Sequence, residues 1–268
     1  MIAHFDDISD LAQECFAKAN MGAQVMQLNE SRERSLKASS AQMIQDLPRF
    51  AELTNFYGAK AWAAILSVDL RRSSNRAVEI GARGTYLTMH TYLPVMAELV
   101  GKAEGVIVGL RGDGLFAAFG FTELDGSEPQ VTSEVAGQAV QNASRCGKAM
   151  IEAVQEIINP ILAENGIHGQ KTRDLAIGVG IDVGDIVVTR IGLESASETT
   201  AYGASVNRAC KFADGHNIIR VSHAAHEMYP TGKNGRIKFR RVEGSYIVNY
   251  PSDMRMLAQR PIGSIRPR

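Results

Sequence analysis

Apolar and polar positions along the chain fall into blocks whose spacing predicts strands and helices in turn. Residues 62–68 form a mostly apolar run that ends at Asp69, as expected of a buried strand. Two more apolar runs, 106–111 and 114–119, meet at a Gly-Asp-Gly tip, which predicts a β-hairpin with a tight turn. A strand that ends in an acid is therefore followed by a hairpin that carries another acid, Asp113, at its turn.

Helices are predicted between and after these strands. Apolar residues recur at helical spacing over 85–100, where Pro94 predicts a kink or a late helix start. A long helix is predicted over 131–164 with a break or kink at the Asn-Pro pair, and a second hairpin over 175–191. Shorter elements follow a polar loop: helices at 205–213 and 223–228, and strands at 218–221, 237–241 and 246–250.

This order of elements predicts an α+β fold of ferredoxin-like arrangement, in which a central, mostly antiparallel sheet is flanked by helices, mainly on one face. The first strand and the first hairpin are expected side by side at its centre. Residues 1–58, which look helical from 5 to 55, are interpreted as an N-terminal extension that packs on the main domain or on a second subunit. The main domain is expected over 59–252, and a flexible tail over 253–268.

Composition narrows the class of protein. Apolar residues make up 45% of the chain, and 29 basic residues balance 29 acidic ones, so no overall field draws it to nucleic acid or anionic lipid. Its three cysteines fit neither a disulfide framework nor a zinc site. No signal peptide is recognisable, and no apolar run reaches the roughly 20 residues that span a bilayer. We expect a soluble, cytoplasmic protein with no membrane or nucleic-acid partner.

Asp69 and Asp113 are the first candidate site residues. In the expected arrangement, a strand end and a hairpin tip converge at one edge of the sheet, and two carboxylates there repel unless cations neutralise them. Mg²⁺ and Mn²⁺ are hard cations that prefer oxygen ligands and substrate phosphates. The other interpretation of the Gly-Asp-Gly tip is a plain hairpin turn.

Four motifs in order resemble those of the class III nucleotidyl cyclases, over about residues 60–250. The strand-end Asp69 and the hairpin Asp113 match the two metal-binding acids of that family. The segment Gly-Ile-Asp-Val-Gly at 180–184 is similar to its Gly-Ile-His-Thr-Gly, and Gly-Ala-Ser-Val-Asn at 203–207 is similar to its Gly-Asp-Thr-Val-Asn. The resemblance implies a cyclase catalytic domain over 59–252.

The resemblance also implies roles for particular residues. Asp69, Asp113 and the Leu70 carbonyl would hold two Mn²⁺ or Mg²⁺ ions, and Asn207 would orient the ribose. Lys211 stands where the family has its transition-state Arg, and positions i and i+4 share a helix face. A lysine there acts as a point charge rather than a planar fork.

Arg208, next to Asn207, is expected to face elsewhere.

The residues that recognise the base and the triphosphate depart from the family. Adenylate cyclases commonly carry a base-reading Lys where this chain has Gly109, and an Asp where it has Thr200. A missing donor discriminates against a purine edge. Arg72, Ser73 and Ser74 replace the family's Gly-Phe-Thr, and their hydroxyls, amides and guanidinium still suit a phosphate.

This combination looks like the pyrimidine cyclases of the Pycsar anti-phage systems. The likeness implies conversion of UTP, or CTP, to a 3′,5′-cyclic nucleotide that alerts a separate effector. Tyr57 is the candidate for a bulky side chain that closes the smaller base pocket. The family implies a head-to-tail homodimer, in which the acids of one chain act with Asn207 and Lys211 of the other.

Two further hypotheses for the function of the chain stay open. One is an adenylate or guanylate cyclase with an atypical base pocket, and the other is a non-catalytic nucleotide-binding regulatory module, which Lys211 favours.

Other features have plainer interpretations. His223 and His226 lack a third metal ligand and are read as surface or core residues. The arginines between 71 and 83 lack the aromatic residues of a nucleic-acid surface. Arg240 and Arg241 either reach the triphosphate or lie at a solvated strand end.

Overall fold

The computed structural model describes residues 1–25, 40–123, 131–193, 196–230 and 235–258. Its strands are β1 (Ala3–His4), β2 (Gly58–Leu70), β3 (Val106–Arg111), β4 (Gly114–Glu123), β5 (Ile177–Leu193), β6 (Ala196–Tyr202), β7 (Ile218–Val221), β8 (Lys238–Val242), β9 (Ser245–Asn249) and β10 (Leu257–Ala258). Its α-helices are α1 (Phe5–Val25), α2 (Pro48–Ala51), α3 (Ser73–Lys102), α4 (Ser133–Ala153), α5 (Asn159–Glu164), α6 (Ala204–Phe212) and α7 (His223–Met228). A 3₁₀ turn covers Ile44–Asp46, and a π-helical turn covers Val154–Ile158.

The central strand of the sheet is β2, which lies between β4 and β5 and is antiparallel to both. Within the described residues the strand order is β3-β4-β2-β5-β7-β9-β8, with β6 paired to β5 off this path. Among the named strands of this sheet in the described ranges, β5 and β7 form the one parallel pair. The expected mostly antiparallel sheet is confirmed, with the first hairpin beside the first long strand.

The side chains of β2 alternate between two apolar layers because successive residues of a strand point to opposite faces. One layer contains Trp62, Ala64, Leu66 and Val68 together with residues of α1, α3 and α4. The other contains Ala61, Ala63 and Ile65 together with Phe50 of α2 and Val206 and Ala209 of α6. Helices therefore cover both faces, and the smaller layer positions α6.

The predicted second hairpin over 175–191 is wrong. Residues 177–191 lie in β5, one 17-residue strand whose residues 177–189 pair with the whole of β2. The chain turns back only after Leu193 and forms β6, in a segment interpreted from the sequence as a polar loop. Gly184, at φ 149, lies in a region that favours glycine, but the pairing with β2 continues through Gly184 and Asp185 without a turn.

The long helices differ in detail from their predicted bounds. α3 begins twelve residues before position 85, at Ser73, and its non-helical residue is Gly81 (φ 69, ψ −179) rather than Pro94. The helix predicted over 131–164 is continuous through the Asn-Pro pair. Its irregularity is the π-helical turn before Pro160, which begins the last helical segment, where a missing amide proton is tolerated.

The two ends of the described chain lie together. α1 is helical as predicted and packs on α3, with Ile8, Ala12 and Phe16 in the core, whereas residues 40–57 contain only two short helical turns. β10 pairs with β1, and the amides of Met256 and Leu257 donate to the buried Glu152. The tail predicted to be flexible from 253 is thus held in place over 256–258, and residues 26–39, 124–130 and 259–268 lie outside the described part. The division of the chain into three regions stays a prediction.

Of the helices in the described ranges, none is both long and apolar enough to cross a membrane.

Candidate active site

Asp69 and Asp113 are brought together by strand register. Asp69 is the last but one residue of β2 and lies opposite Gly114 of β4, while Asp113 immediately precedes Gly114 in the turn. A side chain at Gly114 would lie 2.3 Å from the Val68 carbonyl oxygen, so only glycine lets the turn approach β2 this closely. The two carboxylates therefore meet at one end of the central strands, as expected from the sequence.

Burial and repulsion between these two acids both disfavour the charged form of Asp69, and a bound cation would offset both effects. The pKa of the Asp69 carboxyl lies above its usual range because burial disfavours its charge and because Asp113 adds a second negative charge. Arg71 opposes both effects: its Nη1 donates to Asp69 Oδ2 at 2.6 Å and also to the Ala213 carbonyl oxygen at 3.2 Å. No periodicity in the sequence predicts this contact, for which the only signal is an arginine two residues after a strand-end acid.

The donor set fits a divalent cation bound jointly with a substrate. Two carboxylates are hard oxygen ligands, and a cation would relieve both the burial and the neighbouring charge of Asp113 that raise the pKa of Asp69. In the described ranges, no group of three or more His, Cys, Asp or Glu side chains could hold a metal. Further ligands would have to come from backbone oxygens, such as the Leu70 carbonyl, and from the phosphates of a ligand.

The predicted phosphate loop lies directly beside the acids along the chain. β2 ends at Leu70, and Ser73 and Ser74 form the first turn of α3. Arg72 adopts a left-handed conformation (φ 57, ψ 28) at the start of this helix and provides no side-chain cap. The first amides of a helix and two hydroxyls are thus presented at the same end of β2 as Asp69, which suits an anion.

α6 displays a polar face to the outside. Asn207, Arg208 and Lys211 are exposed, whereas Val206 and Ala209 are buried against the sheet. The predicted shared face of Asn207 and Lys211 is confirmed, and it points away from the chain's own β2 and β5. Arg208 is also exposed, but its guanidinium turns back to Asp182 of β5, to which Nε donates a hydrogen bond, which agrees with the expectation that it faces elsewhere.

The close approach of α6 depends on two glycines of β5. A Cβ at Gly180 would lie 2.0 Å from the Ala209 carbonyl oxygen, and one at Gly178 would lie 2.2 Å from the Ala213 carbonyl oxygen. Since both contacts are to backbone atoms, no side-chain rotation relieves them. These glycines set the distance between α6 and β5, which is the neighbour of the strand that carries Asp69.

We expect Gly180→Ala to lower the free energy of unfolding by about 1–3 kcal/mol, since α6 has to move to admit a methyl group. Urea unfolding measures this change. Gly109→Ala is the matched control, because a Cβ there has nothing within 4 Å. Equal stability of the two variants would contradict the role assigned to the packing of α6.

Tyr57 and Thr200 lie far from the acids of the same chain. Tyr57 precedes β2, and the 13 residues of that strand place its two ends about 40 Å apart. Thr200 in β6 lies opposite Thr189, whose hydroxyl donates to the Tyr57 carbonyl oxygen at 2.7 Å. Tyr57 and Thr200 therefore share one end of the molecule, and a single chain does not bring them to Asp69.

The other candidates from the sequence have structural roles. His226 stacks on Tyr246, with ring centroids 4.0 Å apart, and burial lowers its pKa. Arg76 is buried and donates to the carbonyl oxygens of Ile167 and Thr172, so it is not part of a basic surface. Arg240 and Arg241 are exposed on β8, at the edge of the sheet, which matches the solvated strand end.

Two curated relatives match the chain at low identity. A protein named uridylate cyclase, from Rhodovulum sp. (strain MB263), is 23% identical over 185 residues, which are 68% of this chain and 70% of that protein. A protein named cytidylate cyclase, from Escherichia coli, is 25% identical over 153 residues. This second match covers 56% of this chain and 31% of the relative, so the chain spans about a third of that protein. No protein-family model matches the chain.

A solved structure shows the same architecture. The adenylyl cyclase CyaB from P. aeruginosa has a TM-score of 0.57 to this chain at 21% identity, covering 76% of this chain and 100% of that one. At this identity the likeness concerns the fold, which is the α+β arrangement expected from the sequence. The resemblance to class III nucleotidyl cyclases is therefore confirmed, and the chain has their fold.

Proposed function

We propose that the protein converts a pyrimidine nucleoside triphosphate, UTP in preference to CTP, to its 3′,5′-cyclic nucleotide and pyrophosphate. The observation that carries this proposal is the meeting of Asp69 and Asp113 beside the start of α3, in a fold shared with class III cyclases. The printed names of the two relatives, uridylate and cytidylate cyclase, support a pyrimidine. By the resemblance to the Pycsar cyclases, the product would be a signal in anti-phage defence.

In this proposal the acids and the phosphate loop of one chain hold the triphosphate. Asp69, Asp113 and the Leu70 carbonyl would hold two Mn²⁺ or Mg²⁺ ions, which when bound neutralise phosphate charge and acidify the ribose 3′-hydroxyl. Ser73 and Ser74 offer hydroxyls and helix-terminal amides to the phosphates. The ribose 3′-oxygen loses its proton to solvent and bonds to the α-phosphorus, and the bond to the β-phosphate oxygen breaks.

The remaining groups would come from a second copy of the chain. Asn207 would orient the ribose, and Lys211 would balance charge on the α-phosphate. Both side chains face away from their own sheet, so they are placed to act on a neighbour. A head-to-tail homodimer gives two equivalent sites, each made from both chains.

Exposed apolar side chains support an interface at the end of β2 that lies far from the acids. Phe56 is 93% exposed, Tyr57 70% and Leu193 74%, and Ile191 is also exposed. Apolar side chains this open to water are typical of surfaces that a partner covers. In a head-to-tail pair this end would bring Tyr57 and Thr200 towards the acids of the partner.

Base selection is proposed to depend on Gly109 and Thr200, the positions where adenylate cyclases commonly carry Lys and Asp. A Cβ at Gly109 would meet nothing within 4 Å, so a side chain can begin there without a clash. We expect Gly109→Lys with Thr200→Asp to shift the ratio of kcat/KM values towards ATP by at least about tenfold, since a donor and an acceptor are restored. Competition between ATP and UTP measures the shift, and an unchanged ratio would exclude these positions from base recognition.

The proposed function is tested by incubating the protein separately with ATP, GTP, CTP and UTP in the presence of Mn²⁺. We expect cyclic UMP, identified by mass spectrometry, as the main product. A purine product would favour an adenylate or guanylate cyclase with an atypical pocket. No product from any nucleotide would favour a non-catalytic nucleotide-binding module, a function that the Arg71–Asp69 contact also supports.

A further inference from the structure

A buried acid lies beneath the outer face of α6. Asp182 of β5 is fully buried, and its Oδ2 accepts a hydrogen bond from Arg208 Nε at 2.5 Å. Its other oxygen, Oδ1, has no hydrogen-bond partner among the described residues. A buried carboxylate needs a countercharge, and here the only ion pair recorded for it within the described ranges is with Arg208.

Arg208 is bound to this acid through one nitrogen and is otherwise open. The Asp182 contact uses Nε, and the Arg208 side chain is 50% exposed. Its two Nη groups take no part in that contact, and the same helix carries the exposed side chains of Asn207 and Lys211. The contact with Asp182 fixes the orientation of the guanidinium.

The chemistry of this arrangement suits a phosphate. A guanidinium presents paired N–H donors in a planar fork that matches phosphate oxygens, whereas the ammonium of Lys211 is a compact point charge. Since Asp182 already holds the side chain, less rotamer freedom is lost when a ligand binds. Two exposed cations and one exposed amide are then carried by one helix, α6.

We propose that Arg208, oriented by Asp182, is a phosphate-binding residue of the nucleotide site. It supplies from α6 the guanidinium that the lysine at position 211 does not. The location of its ligand, the triphosphate held by the acids of a neighbouring chain, rests on the proposed function. The Asp182–Arg208 contact itself does not.

The competing account is that Arg208 only neutralises Asp182. Removing Arg208 alone would leave a buried charge unpaired and could unfold the protein. The comparison is therefore made in a neutralised background: Asp182→Asn against Asp182→Asn/Arg208→Gln, in which neither variant buries an unpaired charge. Lys238→Gln, which removes one exposed positive charge on the edge strand β8, controls for net charge.

Isothermal titration calorimetry with inorganic tripolyphosphate and Mn²⁺ measures the Kd of each full-length variant. We expect the Kd of Asp182→Asn/Arg208→Gln to be at least about tenfold above that of Asp182→Asn, as for the loss of one charge-assisted hydrogen bond. The Kd of Lys238→Gln is expected to equal that of the unchanged protein. Equal Kd values in the Asp182→Asn pair, an equal weakening by Lys238→Gln, or no binding by the unchanged protein would each overturn the proposal.

Product formation from the four nucleotides is assayed on the same preparations. If tripolyphosphate binding depends on Arg208 but no cyclic nucleotide forms, cyclisation fails and the phosphate-binding role stands. If cyclic nucleotide forms and both Asp182→Asn variants bind tripolyphosphate equally, the role of Arg208 fails alone.

Discussion

Asp113→Asn is expected to lower cyclic nucleotide formation by at least about 100-fold. The change keeps the shape of the side chain and removes its charge at the point where Asp113 faces Asp69. A bound divalent cation contributes several kcal/mol of charge stabilisation, and each 1.36 kcal/mol corresponds to a factor of ten in rate. Loss of one of two acidic ligands is therefore expected to remove most of the rate.

A second readout separates this effect from misfolding. We expect Mn²⁺ to raise the melting temperature of the unchanged protein, because binding to the folded state stabilises it, and to have little effect on Asp113→Asn. Asp253→Asn is the control: Asp253 is an exposed acid paired with Arg236, and such surface pairs contribute little. An Asp113→Asn protein that retains the wild-type rate would contradict the assignment of the metal site.

Lys211→Ala is expected to lower the rate of cyclisation by about 100-fold without affecting the metal site. In the proposed function its ammonium balances charge on the α-phosphate, a role for which cationic residues of phosphoryl-transfer enzymes contribute large factors. Since Lys211 is not one of the metal-binding groups, the rise in melting temperature with Mn²⁺ should persist. Lys211→Arg keeps the charge and is expected to stay active.

The two variants thus have different signatures in the same pair of assays. A loss of rate together with a loss of Mn²⁺-dependent stabilisation marks the acids, and a loss of rate alone marks the face of α6. Lys238→Gln again serves as a control for removal of one exposed charge. If Lys211→Ala remained fully active, the catalytic role carried over from the family would be wrong for this chain.

Most of the fold follows from local patterns in the sequence. β2 and the β3–β4 hairpin are predictable because apolar runs and a Gly-Asp-Gly turn determine them locally. β5 was mistaken for a hairpin because Gly184 and Asp185 have the residue types of a turn. Which of the two forms is adopted depends on pairing with the whole length of β2, and this is a long-range interaction.

The candidate site also has a part that local sequence patterns predict and a part that they do not. The acids and the shared face of Asn207 and Lys211 are predictable, since strand ends, hairpin tips and helix periodicity place them. The contact of Arg71 with Asp69 was not foreseen, because it depends on side-chain conformations that no periodicity encodes. The contact of Arg208 with Asp182 is unpredictable for the same reason, since it joins a helix residue to a strand residue 26 positions earlier in the chain.

The central claim is that each site combines the acids of one chain with the α6 face of another. Asp113→Asn and Lys211→Ala chains, co-expressed with different affinity tags and purified as the mixed dimer, test it most directly. One of the two sites in that dimer contains both changes and the other contains neither, so activity should return to about half of that of the unchanged dimer. A mixed dimer as inactive as its two parent proteins would contradict the account.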